Sequence, residues 1–460
     1  MFSEQDIHQF KQQLQKAILI CREHCLYNST KWVTEILDGI PEHFLNNDQP
    51  FTIESNLPLL TTTDLTPELT ATEFDKYQRA QVLFEQCQFD NVAAILKGYT
   101  APRLRFLRLY ATYLAGEKHK EEATQDIPVG PTEIQPKQNE ALNGIYEELR
   151  PIRDSLDAFN LYLYGIVLCK REMEKEAAAA LLESVKMYEY NWSAWMQLGT
   201  LASTTKQFYD LKERLDQELE KSIVKNLFLA RLALEIHLPS NVFWEFMQPL
   251  EIHFKGSIYI KSQLAMAFYN ALEYDKAEDL FDQIRQENPY RLEDMDVYSN
   301  LLYLQGSREK LSVLAHECIQ IDQYQPETCC IVANYHSATG EIAESVKYFK
   351  RALKLNRSYH LAWTLLGHDY IELKNTDAAI DCYNRAIAIN RRDYRAWYGL
   401  GQAEEMIDKP EHALYYYQKA TELRPDDERM WKALGGCYGH LHQDDKALEC
   451  YERAAALNNM

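Results

Sequence analysis

Residues 360–393 read HLAWTLLGHDYIELKNTDAAIDCYNRAIAINRRD, and residues 394–427 read YRAWYGLGQAEEMIDKPEHALYYYQKATELRPDD. Laid one over the other, they align Trp363 with Trp397, Leu366 with Leu400, Gly367 with Gly401, Ala379 with Ala413, Tyr383 with Tyr417 and Ala386 with Ala420. The next line repeats them as Trp431, Leu434, Gly435, Ala447, Tyr451 and Ala454. Each line carries a small residue at its position 8, Ala at 20 and an aromatic at 24, with a break near 32. That pattern has a packing cause. Two helices that cross tightly have no room for a large side chain at the crossing, and aromatics fill the gap to the next pair.

A step of 34 residues with this signature is that of the tetratricopeptide repeat (TPR), a helical hairpin that stacks into a solenoid. Working outward, the small residues Ala265, Ser299, Ala333, Gly367, Gly401 and Gly435 each lie 34 residues apart, as do Gly165 and Gly199. The predicted fold is therefore all-α, a TPR helical-hairpin solenoid wound as a right-handed superhelix. Residues 258–460 form a C-terminal array of six regular repeats carrying a ligand groove. Residues 73–257 form a weaker N-terminal array, with units near 73, 158 and 192 and a degenerate unit over 226–257. Residues 116–157, with four prolines and much charge, read as a surface insertion, partly helical near 139–149. Residues 39–72 read as an irregular linker. Residues 1–38 carry one amphipathic helix, since Ile7, Phe10, Leu14, Ile18, Cys21 and Cys25 follow a three-four spacing. The last repeat breaks off at Met460 inside its second helix, so either more sequence or a covering partner is expected there.

Composition agrees with a solenoid. Of 460 residues, 46% are hydrophobic and 26% charged, enough for a continuous core, while 16 Gly and 15 Pro leave few tight turns. The net charge of -20 argues against binding a phosphate backbone, which relies on clustered Lys and Arg, and favours basic peptide partners. No apolar run reaches the ~18 residues that span a bilayer. The 10 cysteines include no CxxC pair and suit a reduced intracellular protein.

Several stretches go beyond the generic repeat. They are NPYRLEDMDVYSNLLYL (288–304), ETCCIVANYHS (327–337), RALKLNRSYHLAWTLLGHDYIELKNTDAAI (351–380) and RRDYRAWYGLGQ (391–402), with STKWVTEI (29–36), TYLAGEKHKEE (112–122) and LYLYGIVLCK (161–170) upstream. Together they resemble the eighth-subunit TPR proteins of the anaphase-promoting complex, in order and over nearly the whole chain. The resemblance implies a non-catalytic scaffold subunit of a cullin-RING-type ubiquitin ligase that controls mitotic progression. It implies a homodimer formed through the N-terminal repeats, contacts with other TPR and scaffold subunits, and a location in nucleus and cytoplasm. It also implies that the C-terminal groove receives the short basic C-box of activator subunits.

Helical geometry says which residues face that groove: positions 2, 5, 9 and 12 of each first helix point away from the second. They give Glu293, Asp296 and Asn300, then Asn334, then His368 with Asp369 beside it, then Tyr398, Gln402 and Glu405. This is an acidic, amide-rich strip with one aromatic platform. Carboxylates accept a bidentate guanidinium and amides clamp a peptide backbone, so the strip suits an arginine-bearing extended peptide. In the family that the chain resembles, the C-box arginine meets an Asn and a Glu at the places of Asn334 and Asp369, the latter one methylene shorter here. Polar residues on a wet surface would look the same in sequence.

Other chemistry finds little footing. Cys21, His24 and Cys25, or Cys437, His440 and His442, lack the four-ligand spacing of structural zinc, so no metal and no cofactor is expected. No GxGxxG, P-loop or GxSxG motif is present, and the repeats leave no room for a catalytic domain. An adaptor of another assembly, a co-chaperone or an RNA-processing complex, remains as the alternative. A co-chaperone groove grips a carboxylate with basic residues, whereas Cys330, Thr364 and His368 stand at the matching positions, with Arg395 the one base.

Overall fold

The computed structural model describes residues 4–40, 69–125 and 139–458. Among them lie 24 α-helices, one short 3-10 helix and no strand, so the all-α solenoid read from the period is the fold. Most of the expected 39–72 linker, and the centre of the 116–157 insertion, lie outside the described residues.

The 34-residue step has a contact behind each of its signature positions. A Cβ placed on Gly367 would sit 2.5 Å from the Tyr383 ring, and one on Gly401 2.5 Å from Tyr417. Position 8 is small because position 24 of the same repeat lies against it. Position 4 is also explained. The indole N–H of Trp363 donates to the Arg357 carbonyl, Trp397 to Arg391 and Trp431 to Pro425. Each tryptophan thus ties its helix to the loop that precedes it. Trp195 makes the same bond to Glu189, which marks the upstream hairpin as one of the series.

The turn between the two helices of each repeat places one residue at positive φ: Leu272, Gly306, Gly340, Lys374, Asp408 and His442. Glycine fills this left-handed position twice, and L side chains strain it elsewhere. Leu272, at φ 63° and half exposed, is expected to gain about 0.5–1 kcal/mol on replacement by glycine. A rise in melting temperature of Leu272→Gly would be the sign. A fall would mean that the leucine side chain stabilises more than its backbone strain costs.

Three sequence expectations are revised. The N-terminal 1–38 region holds two helices, Glu4–Glu23 and Tyr27–Asp38, not one. The insertion does not begin at Gly116, because helix Pro102–Gln125 runs through it; Asn139 holds that helix from outside by donating to the Tyr113 carbonyl. The degenerate unit begins at helix Ile223–Glu235, with Ala230 in the small-residue place, 31 residues after Gly199 and 35 before Ala265. Gly199 and Ala265 are 66 residues apart, two short of two 34-residue steps, and the shortfall lies in the preceding hairpin, whose first helix, Trp192–Thr200, stops one residue past Gly199.

The N-terminal hairpin docks on the first helices of later repeats. Trp32 stacks on Trp192 with ring centroids 4.1 Å apart and meets Tyr259 edge-on at 6.1 Å. Phe10 packs on Tyr190 and Phe254, Ser29 bonds Asn191, and Glu35 accepts from Arg291 at 2.8 Å. Further along, the superhelix touches itself. Buried Arg392 reaches the Gly199 carbonyl and the Glu235 carboxylate (3.2 Å). Arg424 donates to the Asn270 carbonyl and the Tyr394 hydroxyl, and His237 lies edge-on to Tyr394. Loops of the late repeats thus rest on the rim of the middle ones.

Candidate peptide-binding groove

Of the nine groove residues read from the sequence, the structure gathers three around one cavity of about 300 Å³. Asn334 comes from helix Pro326–Thr339, and His368 and Asp369 from helix His360–Glu372. Tyr303, Ser337, Leu365 and Glu372 complete most of the wall. Phe349 and Ile371 add apolar surface to the lining. A mostly apolar lining with a few placed polar groups is the composition of a ligand site.

Each polar group is preset. Asn334, almost fully buried, donates to the Ser299 hydroxyl at 2.8 Å. Its side-chain oxygen is thereby oriented. His368 pairs with the Tyr383 hydroxyl at 2.8 Å, and burial lowers its pKa to about 4, so its imidazole is neutral at pH 7. Asp369 occupies position 10 and leans toward the preceding repeat, where the hydroxyls of Ser337 (3.1 Å) and Ser345 donate to it. Burial pushes its carboxyl up to about 7, the two hydroxyls opposing and the neighbouring Glu372 charge adding to the rise. An acid raised by burial beside a second carboxylate, with no cation among the causes, would be stabilised as the anion by a positive charge that the site itself does not supply.

The other six residues are placed differently from a continuous open strip. Glu293 is bound by Lys31 of the N-terminal hairpin and by Arg291 (3.2 Å), which Glu35 of that hairpin also holds. Asp296 is buried, accepts from the Tyr359 hydroxyl, and is pushed up to about 6 by that burial. Asn300 donates to Tyr269 at 2.7 Å. Gln402 donates to the Tyr398 hydroxyl at 3.3 Å, and Glu405 accepts from Tyr417 at 2.9 Å with His440 at 3.3 Å. Helical periodicity chose the right faces. It carried no information on the tyrosines that engage these groups, Tyr359 and Tyr269 from neighbouring repeats and Tyr398 and Tyr417 from the same one. Glu372 was missed, although it lies one turn beyond His368 on the same helix.

The sequence model of the family described as "Anaphase promoting complex subunit 8 / Cdc23" matches residues 9–265, and tetratricopeptide models match residues 326–359 and 364–428. The chain is 39% identical over 394 residues to anaphase-promoting complex subunit 8 of Arabidopsis thaliana, covering 80% of this chain and 66% of that one. It is 32% identical over 445 residues to the complex's subunit CDC23 of Saccharomyces cerevisiae, covering 82% and 71%. Identity to the cell division cycle protein 23 homolog of Homo sapiens is 39%, over 69% of this chain and 50% of that one. The chain thus spans between half and about seven tenths of these relatives' lengths. Among solved structures, the crystal structure of the Cut9-Hcn1 hetero-tetramer superposes with a TM-score of 0.61 at 16% identity, over 84% of this chain and 72% of that one, a likeness of fold.

Proposed function

Because the chain belongs to the anaphase-promoting complex subunit 8 / Cdc23 family, we propose that it is a non-catalytic scaffold subunit of that ubiquitin ligase, whose groove seats an arginine of a partner strand, the activator C-box. One observation carries the groove reading: two carboxylates, Asp369 and Glu372, and a preset amide, Asn334, line one cavity together with Phe349, Leu365 and Ile371. A guanidinium entering there supplies the missing cation, and its flat, forked donors match a carboxylate. The N-terminal repeats form the homodimer, other TPR and scaffold subunits flank it, and the assembly works in nucleus and cytoplasm.

Tagged full-length chain, purified from its own cells, should bring down cullin-like and RING-like subunits and a second copy of itself. Recovery of a different assembly, such as chaperones or RNA-processing factors, would refute the proposal.

The raised Asp369 carboxyl sets a pH dependence. In the free groove it holds a proton up to about pH 7. A bound guanidinium favours the anion, so binding expels the proton and affinity rises with pH until the free acid has ionised. His368 stays neutral over this range and adds nothing. An arginine-bearing C-box peptide is expected to bind roughly five- to tenfold tighter at pH 7.5 than at pH 6.0. A flat profile would mean that Asp369 does not face the ligand.

A further inference from the structure

On this chain of net charge -20, one helix gathers four basic side chains on one side. Helix Ile342–Leu355 buries Val346, Phe349, Ala352 and Leu353, and turns Lys347, Lys350, Arg351 and Lys354 outward. Their spacing of three, one and three residues puts all four on one side of the helix. These are positions 22, 25, 26 and 29 of the repeat. None of the other regular repeats has more than one Lys or Arg among those four positions; the repeat just before has Val313, His316, Glu317 and Gln320. The basic face is therefore a property of this repeat and not of the fold.

Lys347 is paired with Glu344, whereas the other three charges are positioned without an ion pair among the described residues. The Arg351 guanidinium lies 5.0 Å from the centre of the Tyr324 ring, and that ring is 62% exposed. The Lys350 ammonium lies 5.6 Å from the Tyr370 ring. Among the described residues, Lys350, Arg351 and Lys354 form no ion pair. Of the acids on this side, Glu344 pairs with Lys347 at 2.6 Å and Asp381 with Arg385 at 3.2 Å, while Asp322 accepts the Tyr324 backbone N–H. Arg385 extends the face on the next repeat, stacked 5.0 Å from Trp363. A ring beneath a cation fixes its place and leaves its outer side free for an anion.

We infer that this outer face, built by Lys350, Arg351 and Lys354 beside Tyr324, is a docking site for a short Asp/Glu-rich segment of a partner protein. The size of the patch selects that class. From Lys347 to Lys354 the helix rises about 10 Å, the reach of three or four extended residues. Screening confines its attraction to about 8 Å at physiological salt. A long polyanion such as duplex nucleic acid overruns the patch and meets the acidic surface around it. A stretch of four to eight residues with acids at alternate positions sees only the patch. The site lies on the second helix of its repeat and is independent of the arginine cavity.

The test uses the full chain and a fluorescein-labelled decapeptide with Glu at alternate positions, read by fluorescence anisotropy at 50 mM and 300 mM salt. The wild type should bind it, more weakly at the higher salt, and should ignore the same peptide with Gln for Glu. Lys350→Gln with Arg351→Gln and Lys354→Gln should weaken binding at least tenfold, while the circular dichroism spectrum and the affinity for an arginine-bearing C-box peptide stay unchanged. Equal binding by the variant, or no binding by the wild type, would overturn the site. So would a single-stranded oligothymidylate of equal charge that binds as tightly as the Glu peptide.

Discussion

Replacing Trp32 with alanine is expected to destabilise the protein by about 3–5 kcal/mol and to loosen the N-terminal half of the superhelix first. Trp32 is 4% exposed, lies flat on Trp192 with 1° between the ring planes, and meets Tyr259 edge-on. Removing the indole takes away both aromatic contacts and opens a void between the N-terminal hairpin and the first helices of the repeats at 192 and 258. The hairpin's other ties, Phe10 on Tyr190 and Phe254, Ser29 to Asn191 and Glu35 to Arg291, do not fill that volume. Urea unfolding of Trp32→Ala should show an early transition that includes the N-terminal repeats, with the C-terminal array melting later. An unchanged midpoint would mean that the hairpin contributes no packing energy.

The second large effect is expected at the contact between distant repeats. Arg392 is 7% exposed and serves two acceptors, the Glu235 carboxylate and the Gly199 carbonyl. Its burial lowers the guanidinium pKa, with Glu235 opposing, which marks a cation held at some cost in solvation. Arg392→Ala removes that cation but leaves the Gly199 carbonyl without its donor and Glu235 with Arg231 alone. The cost should be about 1–3 kcal/mol, and the gain in freedom should be larger than the loss of structure. Small-angle scattering is expected to report a longer particle at unchanged helical content. Identical scattering curves would place the hold on the coil elsewhere, in Arg424 with Tyr394 and Asn270.

What sequence could and could not say divides along the range of the contacts. Gly367 against Tyr383, Trp397 on the Arg391 carbonyl and the positive φ at Lys374 and Asp408 all lie within one repeat or across one loop. They recur every 34 residues, so the chain states them several times. Trp32 on Trp192 and Arg392 on Glu235 join residues 160 and 157 positions apart and occur once, so no period announces them. The two-residue shortfall between Gly199 and Ala265 was visible, but its assignment was not, because Ala230 and its neighbours lack the tryptophan and glycine markers. In the groove, side-chain direction on a helix was legible and partner identity was not. Asp369 illustrates the limit: its sequence neighbour His368 marked the region, yet the serines that receive it come from the preceding repeat.

The most direct test is a calorimetric titration of an arginine-bearing C-box peptide into the full chain, its Asn334→Ala, Asp369→Ala double variant, and the same peptide with Lys for Arg. The cavity between helices Pro326–Thr339 and His360–Glu372 predicts that the double variant, still folded, loses at least tenfold in affinity, and that the lysine peptide binds the wild type more weakly than the arginine one. Equal affinities for wild type and double variant would contradict the site, and with it the claim that this groove is built to seat a guanidinium.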